Sequence, residues 1–369
     1  MKYCKTCLYP DTKPDLWFDS AGVCSACLAF EQRKNIDWEK REWDLCKLIK
    51  SKNGKELSGY DCVVPVSGGK DSHFQILKML ELGFKPLAVN ARTDDISPLG
   101  RKNLNNISEL GVDLIEVAVN PIVRRRIAKY ALQTVGDISW AEHVTIFTIP
   151  FNIAAEKNIP VVIYGENPQN EYGGPEGTEK QFEMPTSWLD EFGGLNGLRL
   201  SDLVSAKVAT LDELKPYMYD QNLISTNFNL NYIALFLGQY VNWDGRKNAE
   251  LARDNGFEYS DFPVEGSGIR YENLDNYHTG IHDYFKYIKF GFGRATDIAC
   301  NELRRKKITR EEAKEFVLKY DGLYPNTYLG VPLSTILKRI DMTKEEFDIT
   351  VNKFINKDLF PASQGLKNA

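Results

Sequence analysis

An apolar run, Cys62-Val63-Val64-Pro65-Val66, leads directly into Ser67-Gly68-Gly69-Lys70-Asp71-Ser72 and then into His73–Leu80, where apolar residues recur with helical spacing. A strand, a glycine turn and a helix start therefore meet at one point. The two glycines let the backbone pass close to a bound group. Free amides and the dipole at the helix start favour an anion, and Lys70 adds a full positive charge. The pattern predicts a phosphate cradle. It is not a Walker A loop, because no segment supplies G-x-x-x-x-G-K-[ST].

The same alternation continues along the chain. Strands are expected over 61–67, 86–91, 112–119 and 159–164, with a fifth over 231–237. Helices are expected over 71–82, 98–110, 122–135 and 141–157. Strands that are apolar throughout and separated by helices imply a parallel sheet covered on both faces, an α/β doubly wound fold. Ligands in such sheets bind outside the carboxyl ends of the strands. That rule gathers Ser67–Ser72, the stretch from Asn90 to Asp95, and Gly165-Glu166-Asn167 into one crevice. Glu166 and Asn167 become candidates for Mg²⁺ or substrate contact.

Four of the seven cysteines fall as Cys4-x-x-Cys7 and Cys24-x-x-Cys27, the spacing of a four-thiolate Zn²⁺ site. Turn-forming residues between the pairs suit a small ribbon. An iron–sulfur cluster is the alternative; a disulfide framework is disfavoured in a reducing cytoplasm. A closed Cys4 shell has no open coordination position, so its expected role is folding and docking. Cys46, Cys62 and Cys300 read as ordinary thiols.

The expected organisation is a zinc ribbon over 1–35, a linker helix over 36–58, a nucleotide domain over 59–300 with a substrate insertion at about 168–268, and a helical region over 301–369. Within the insertion, 170–177 reads as a loop, and Trp188, Phe192 and Tyr217 are aromatic residues for core packing or sugar stacking. Thr309-x-x-Glu312 and Thr343-x-x-Glu346 are capping boxes. His278 and His282, four apart, can share a helix face, and Lys289 and Arg294 can reach an anion. No apolar run approaches the length of a membrane span, and the start of the chain has no apolar leader, so the cytoplasm is the expected location. A net charge of −5 disfavours a nucleic-acid partner. The runs Arg124–Arg126 and Arg304–Lys307 read as solvated helix faces.

Ser67–Ser72 resembles the S-G-G-x-D-S signature of the PP-loop, or N-type, ATP pyrophosphatases. With the ribbon, Asn90, Asn103–Ile107, Leu110–Leu114 and Phe290–Asp297, the chain as a whole resembles the N-acetyl sugar amidotransferases of bacterial surface-polysaccharide and nonulosonic acid synthesis. The resemblance implies ATP and Mg²⁺, adenylation of an acetamido oxygen on an N-acetylated sugar or nucleotide sugar, and release of AMP and pyrophosphate. It implies that Ser67, Gly68, Gly69, Lys70, Asp71 and Ser72 hold phosphates and that Asn90 lies near the adenine and ribose. Gly165, Asn167 and Arg294 join them as nucleotide contacts, and Lys70, Asp71, Glu166 and His143 are the catalytic candidates. Glu142-His143 stands where an Asp-His pair is expected, and Ala91–Asp95 where an aromatic-bearing stretch is. Lys2, not a cysteine, follows the first Met, so ammonia is expected from a separate glutaminase subunit. A tRNA-thiolating PP-loop enzyme is the alternative, but it would want a basic face and a central cysteine pair.

Overall fold

The computed structural model describes residues 1–175, 177, 182–184, 195–220 and 232–361; Trp188 and Phe192 lie outside them. Five parallel strands form the central sheet: β1 (Cys62–Pro65), β2 (Pro86–Ala91), β3 (Asp113–Val117), β4 (Val161–Tyr164) and β5 (Ile233–Phe236). Their spatial order is β3-β2-β1-β4-β5. The order reverses between β1 and β4, so the switch point where ligands bind lies beside the loop that follows β1.

Alternate residues along each strand serve opposite faces, as a period of two demands. Val63, Leu87, Val89 and Val162 pack beneath the helices Pro121–Val135 and Trp140–Glu156. Cys62, Val64, Ala88 and Val161 pack beneath Lys70–Glu81, Pro98–Glu109 and, through Leu45 and Ile49, Trp38–Ser51. The stretch expected as an insertion also completes the sheet with β5. It then supplies the helix Gly245–Asp254, which packs on Lys70–Glu81. Asp244 starts that helix by accepting from the amides of Arg246 and Lys247.

The segment expected as a loop at 170–177 begins instead inside a short helix, Pro168–Tyr172, because Asn167 caps it and Pro168 suits its first position. The C-terminal region has its own apolar core around Phe285, Ile336 and Phe347. Both capping boxes form reciprocally, at Thr309 with Glu312 and Thr343 with Glu346. A two-residue hairpin, β6 (Thr327–Tyr328) with β7 (Val331–Pro332), turns at Leu329-Gly330, both at positive φ.

The N-terminal ribbon is docked, not free. Tyr9 donates from its hydroxyl to Asp297 Oδ1 at 2.9 Å, and the Leu8 amide donates to Cys300 Sγ at 3.3 Å. Arg310 donates to the carbonyls of Cys4, Lys5 and Cys7. Cys300 is therefore part of the ribbon's packing surface and not an isolated core thiol.

Candidate active site

The loop after β1 turns tightly into a helix start. Gly68 sits at φ +91°, and a Cβ there would lie 2.7 Å from the Leu104 backbone, so only glycine fits. Gly69 starts the helix Lys70–Glu81 with no side-chain cap, which leaves first-turn amides for a ligand. The Ser67 amide donates to Ser72 Oγ at 2.9 Å and closes the loop. His73 Nδ1 pairs with the Gly69 carbonyl at 2.9 Å while its Nε2 faces the Asn106 amide. Burial lowers the His73 pKa, so the ring is a neutral prop for the loop.

Lys70 is buried beneath this loop. Its ammonium meets Asp71 at 2.7 Å and Glu272 at 2.8 Å. Burial alone would lower its pKa, but the two carboxylates raise it well above the usual lysine value and keep it charged. Asn248 donates to the other oxygen of Asp71 at 2.9 Å. Glu166, after β4, reaches the same cavity. Burial first, and then the Asp71 charge, pushes its carboxyl up to about 7. Such a carboxyl fits a hard cation, which would supply the charge it lacks.

The remaining walls come from far along the chain. Trp243, Asp244, Tyr271, Glu272 and Asp275 line the cavity with Arg294 and Arg305. Arg294 is set by a two-oxygen pairing with Asp283 at 3.1 and 3.3 Å. Arg305 and Arg33 both pair with Glu171, and Arg304 donates to the Glu171 carbonyl at 2.6 Å. The basic run Arg304–Lys307 is thus half turned inward. Arg124 is also buried, paired with Asp94 and donating to Thr145 at 3.1 Å. Neither run is simply a solvated face.

Several expected site residues serve the frame. Asn90 is buried and donates to the Val66 carbonyl at 2.7 Å, tying β2 to the end of β1; its Oδ1 has no hydrogen-bond partner among the described residues. Asn167 caps the short helix, and Gly165 accepts from the Gly238 amide at 3.1 Å. None of these three is among the cavity-lining residues. Asn103 and Asn106 reach the carbonyls of Glu258 and Asn255, so the Asn103–Ile107 motif docks one helix while Leu104 meets Gly68. Asp244 and the Tyr271–Asp275 stretch were missed from sequence. Asp244-Gly245 after an aromatic residue was a readable helix start; Tyr271–Asp275 carries no periodicity.

His143 lines a second cavity, separated from the first by the shared Tyr172. Its Nδ1 lies 3.3 Å from Asp137, whose other oxygen meets His282 Nδ1 at 2.9 Å. The two rings stand edge to face, 5.2 Å apart. Burial lowers the His143 pKa, but Asp137 outweighs this and raises it; the two imidazoles in turn hold Asp137 well below the carboxylate range against its burial. His278 does not join them. It sits buried before the helix Thr279–Phe290 and lines a third cavity with Asp94 and Arg124.

The four ribbon cysteines converge, with their sulfurs all within 4.8 Å of one another. Cys4 and Cys27 are 3.9 Å apart, and Cys7 and Cys24 are 3.6 Å apart. A tetrahedral Zn²⁺ with Zn–S bonds of about 2.3 Å needs sulfurs about 3.8 Å apart. Amides of Thr6, Cys7 and Cys24 point at Cys4 Sγ, the donor pattern that stabilises a bound thiolate.

Residues 259–369 match the family model described as LPS biosynthesis protein WbpG-like, C-terminal domain. No curated protein sequence matches the chain. The matched segment contains Tyr271, Glu272, Asp275, Arg294 and Arg305 of the first cavity and His282 of the second. It supports a role in lipopolysaccharide biosynthesis, in line with the resemblance that Phe290–Asp297 carries.

Proposed function

We propose that the chain is an ATP-dependent amidotransferase of PP-loop type, acting on an N-acetylated sugar or nucleotide sugar in the cytoplasm. The observation that carries this reading is the uncapped helix start after Gly68 and Gly69, opening among carboxylates at the switch point of a parallel sheet. An amide oxygen is a poor leaving group, so ammonia cannot displace it unaided. Attack of that oxygen on the α-phosphorus of ATP expels pyrophosphate and attaches AMP. Ammonia then adds at the amide carbon, AMP departs with the oxygen, and loss of a proton leaves the acetamidino group.

The chain's own groups suit each stage. First-turn amides with Ser67 and Ser72 hold the β and γ phosphates. Lys70 lies beneath them, where its ammonium stabilises the departing pyrophosphate. Asp71 and Glu166 would hold Mg²⁺, which supplies charge neutralisation when bound. Arg294, fixed by Asp283, faces the same space as a second cation for the leaving group. Ammonia comes from a separate glutaminase subunit in this reading, and Zn²⁺ in the ribbon is structural.

Incubation with ATP, Mg²⁺, ammonium chloride and a panel of N-acetylated nucleotide sugars tests the proposal. AMP and pyrophosphate should appear together with the small mass loss of an oxygen exchanged for NH. Release of ADP and phosphate would refute the adenylation route.

A further inference from the structure

We propose that the second cavity, walled by Lys13, His143, His282, Lys286 and Lys289, binds a phosphate or diphosphate group beside the first. Only the identity of its bearer, the carrier of the sugar acceptor, rests on the function proposed above.

The two cavities hold opposite charge. In the second, of about 500 Å³, the lining carboxylates among the described residues are Asp15 and Asp137, against three lysines and two histidines. Asp137 is already engaged by both imidazoles. Since each ring turns its Nδ1 to that carboxylate, each Nε2 is its remaining polar atom, and neither has a hydrogen-bond partner among the described residues.

Lys13 makes the stronger argument. Its ammonium has no carboxylate within ion-pair distance among the described residues, and its one close neighbour of note is the Tyr9 ring, 5.6 Å away. The nearby Asp297 is taken by Lys286 and by the Tyr9 hydroxyl. Burial pushes the Lys13 pKa down to about 8, with Asp297 and Asp15 only partly opposing it. Lys13 is half-buried, so its ammonium is still open to the cavity, and a cation there without a counter-ion favours an anionic ligand. Lys289 adds a third cation, held by the carbonyls of Val135 and Gly136 at 3.3 and 3.1 Å. Phe290, Phe292 and Tyr172 give the cavity an apolar side. A group bound here shares the Tyr172 wall with whatever occupies the first cavity.

Calorimetric titration of the full chain with inorganic pyrophosphate, UDP and UDP-N-acetylglucosamine tests this. Each is run with and without Mg²⁺ and a non-hydrolysable ATP analogue. An anion should still bind when the analogue is present. Lys13→Met and His282→Gln should each weaken it about tenfold, the worth of one charge-assisted hydrogen bond, while zinc content and analogue affinity hold. Lys13→Arg should restore binding. Binding should also tighten from pH 8 to pH 6 as Lys13 and His143 gain protons and as Glu142 next to His143, its carboxyl pushed up to about 7 by burial, loses its charge; Asp15, Asp137, Asp297, Lys286, Lys289 and Arg294 are the other charges that face them. Tighter binding of the UDP compounds identifies a carrier site, whereas pyrophosphate alone identifies a site for free phosphate. Absence of any anion beside the analogue, or unchanged binding in both variants, overturns the proposal. Failure of the analogue itself to bind would instead count against the ATP reading, and the titrations without it would still decide the anion site.

Discussion

Around the first cavity, Asp71, Glu166, Glu272 and Asp275 crowd against Lys70 and Arg294; around the second, lysines and histidines crowd against an Asp137 that two rings already engage. The two meet at Tyr172. The contrast has a physical consequence. Excess carboxylate calls for a cation before a polyphosphate can enter, whereas excess ammonium and imidazole accept an anion directly. Yet the two are held by one support. The ribbon reaches the first through Tyr9 and Asp297 and the second through Lys13. Ways of breaking the pair therefore range from the shared support to single groups on one side.

Removal of the ribbon metal should have the largest effect, because it strikes both sides. Structural zinc supplies on the order of 10 kcal/mol to small ribbons. Chelation should loosen Tyr9 and Leu8 from the helix Arg294–Arg304 and abolish ligand binding in both cavities, read by hydrogen exchange and calorimetry. Metal analysis of the purified chain should give zinc, and visible absorbance would assign an iron–sulfur cluster in its place. Lys70→Ala should act on the first cavity alone. AMP formation should fall by roughly 10²–10³-fold, the worth of a preorganised charge at the reacting group, while anion binding in the second cavity persists. Equal loss in both would dissolve the distinction.

Gly68→Ala is the next smaller change. The new methyl would press on the Leu104 backbone in a left-handed conformation, costing about 1–3 kcal/mol. Urea denaturation should show this, with nucleotide-analogue affinity lost and the second cavity's anion affinity kept.

How much of this was legible in the chain follows from range. The strands, their helices and the glycine turn at Gly68-Gly69 were readable because each is local: an apolar run, a glycine pair and a helical period within about twenty residues. The four cysteines were readable because thiolate spacing is a short-range pattern. The opposite wall was not. Glu272 meets Lys70 across some two hundred residues, from a stretch with no period to mark it. Arg304 and Arg305 looked like surface charge because nothing local reveals that Glu171 and a buried carbonyl await them. His282 drew notice for its spacing from His278, but its partner Asp137 is 145 residues away along the chain, and His278 lines a different cavity. Local chemistry foretold the glycine turn and helix start; only topology brought the charged wall to them.

The finest test separates the cavities by pH and by cation, on Glu166 alone. Its carboxyl is pushed up to about 7 in the fold, chiefly by burial and next by Asp71. An unfolded glutamate titrates near 4.3. A raised pKa means that the folded state favours the protonated form, so this contribution is full below the unfolded value. It is lost as pH rises toward 7. Glu166→Gln should therefore gain thermal stability relative to the parent between pH 5 and pH 8, with no advantage at pH 4. Millimolar Mg²⁺ should narrow that gap at pH 8 by giving the ionised carboxylate a partner. His143 cannot mimic the result, although its raised pKa also costs stability as pH rises, because Mg²⁺ takes oxygen ligands and offers little to the neutral imidazole formed on deprotonation. A gap that ignores Mg²⁺ would mean that Glu166 is simply a buried acid, and the first cavity would lose its claim to a metal.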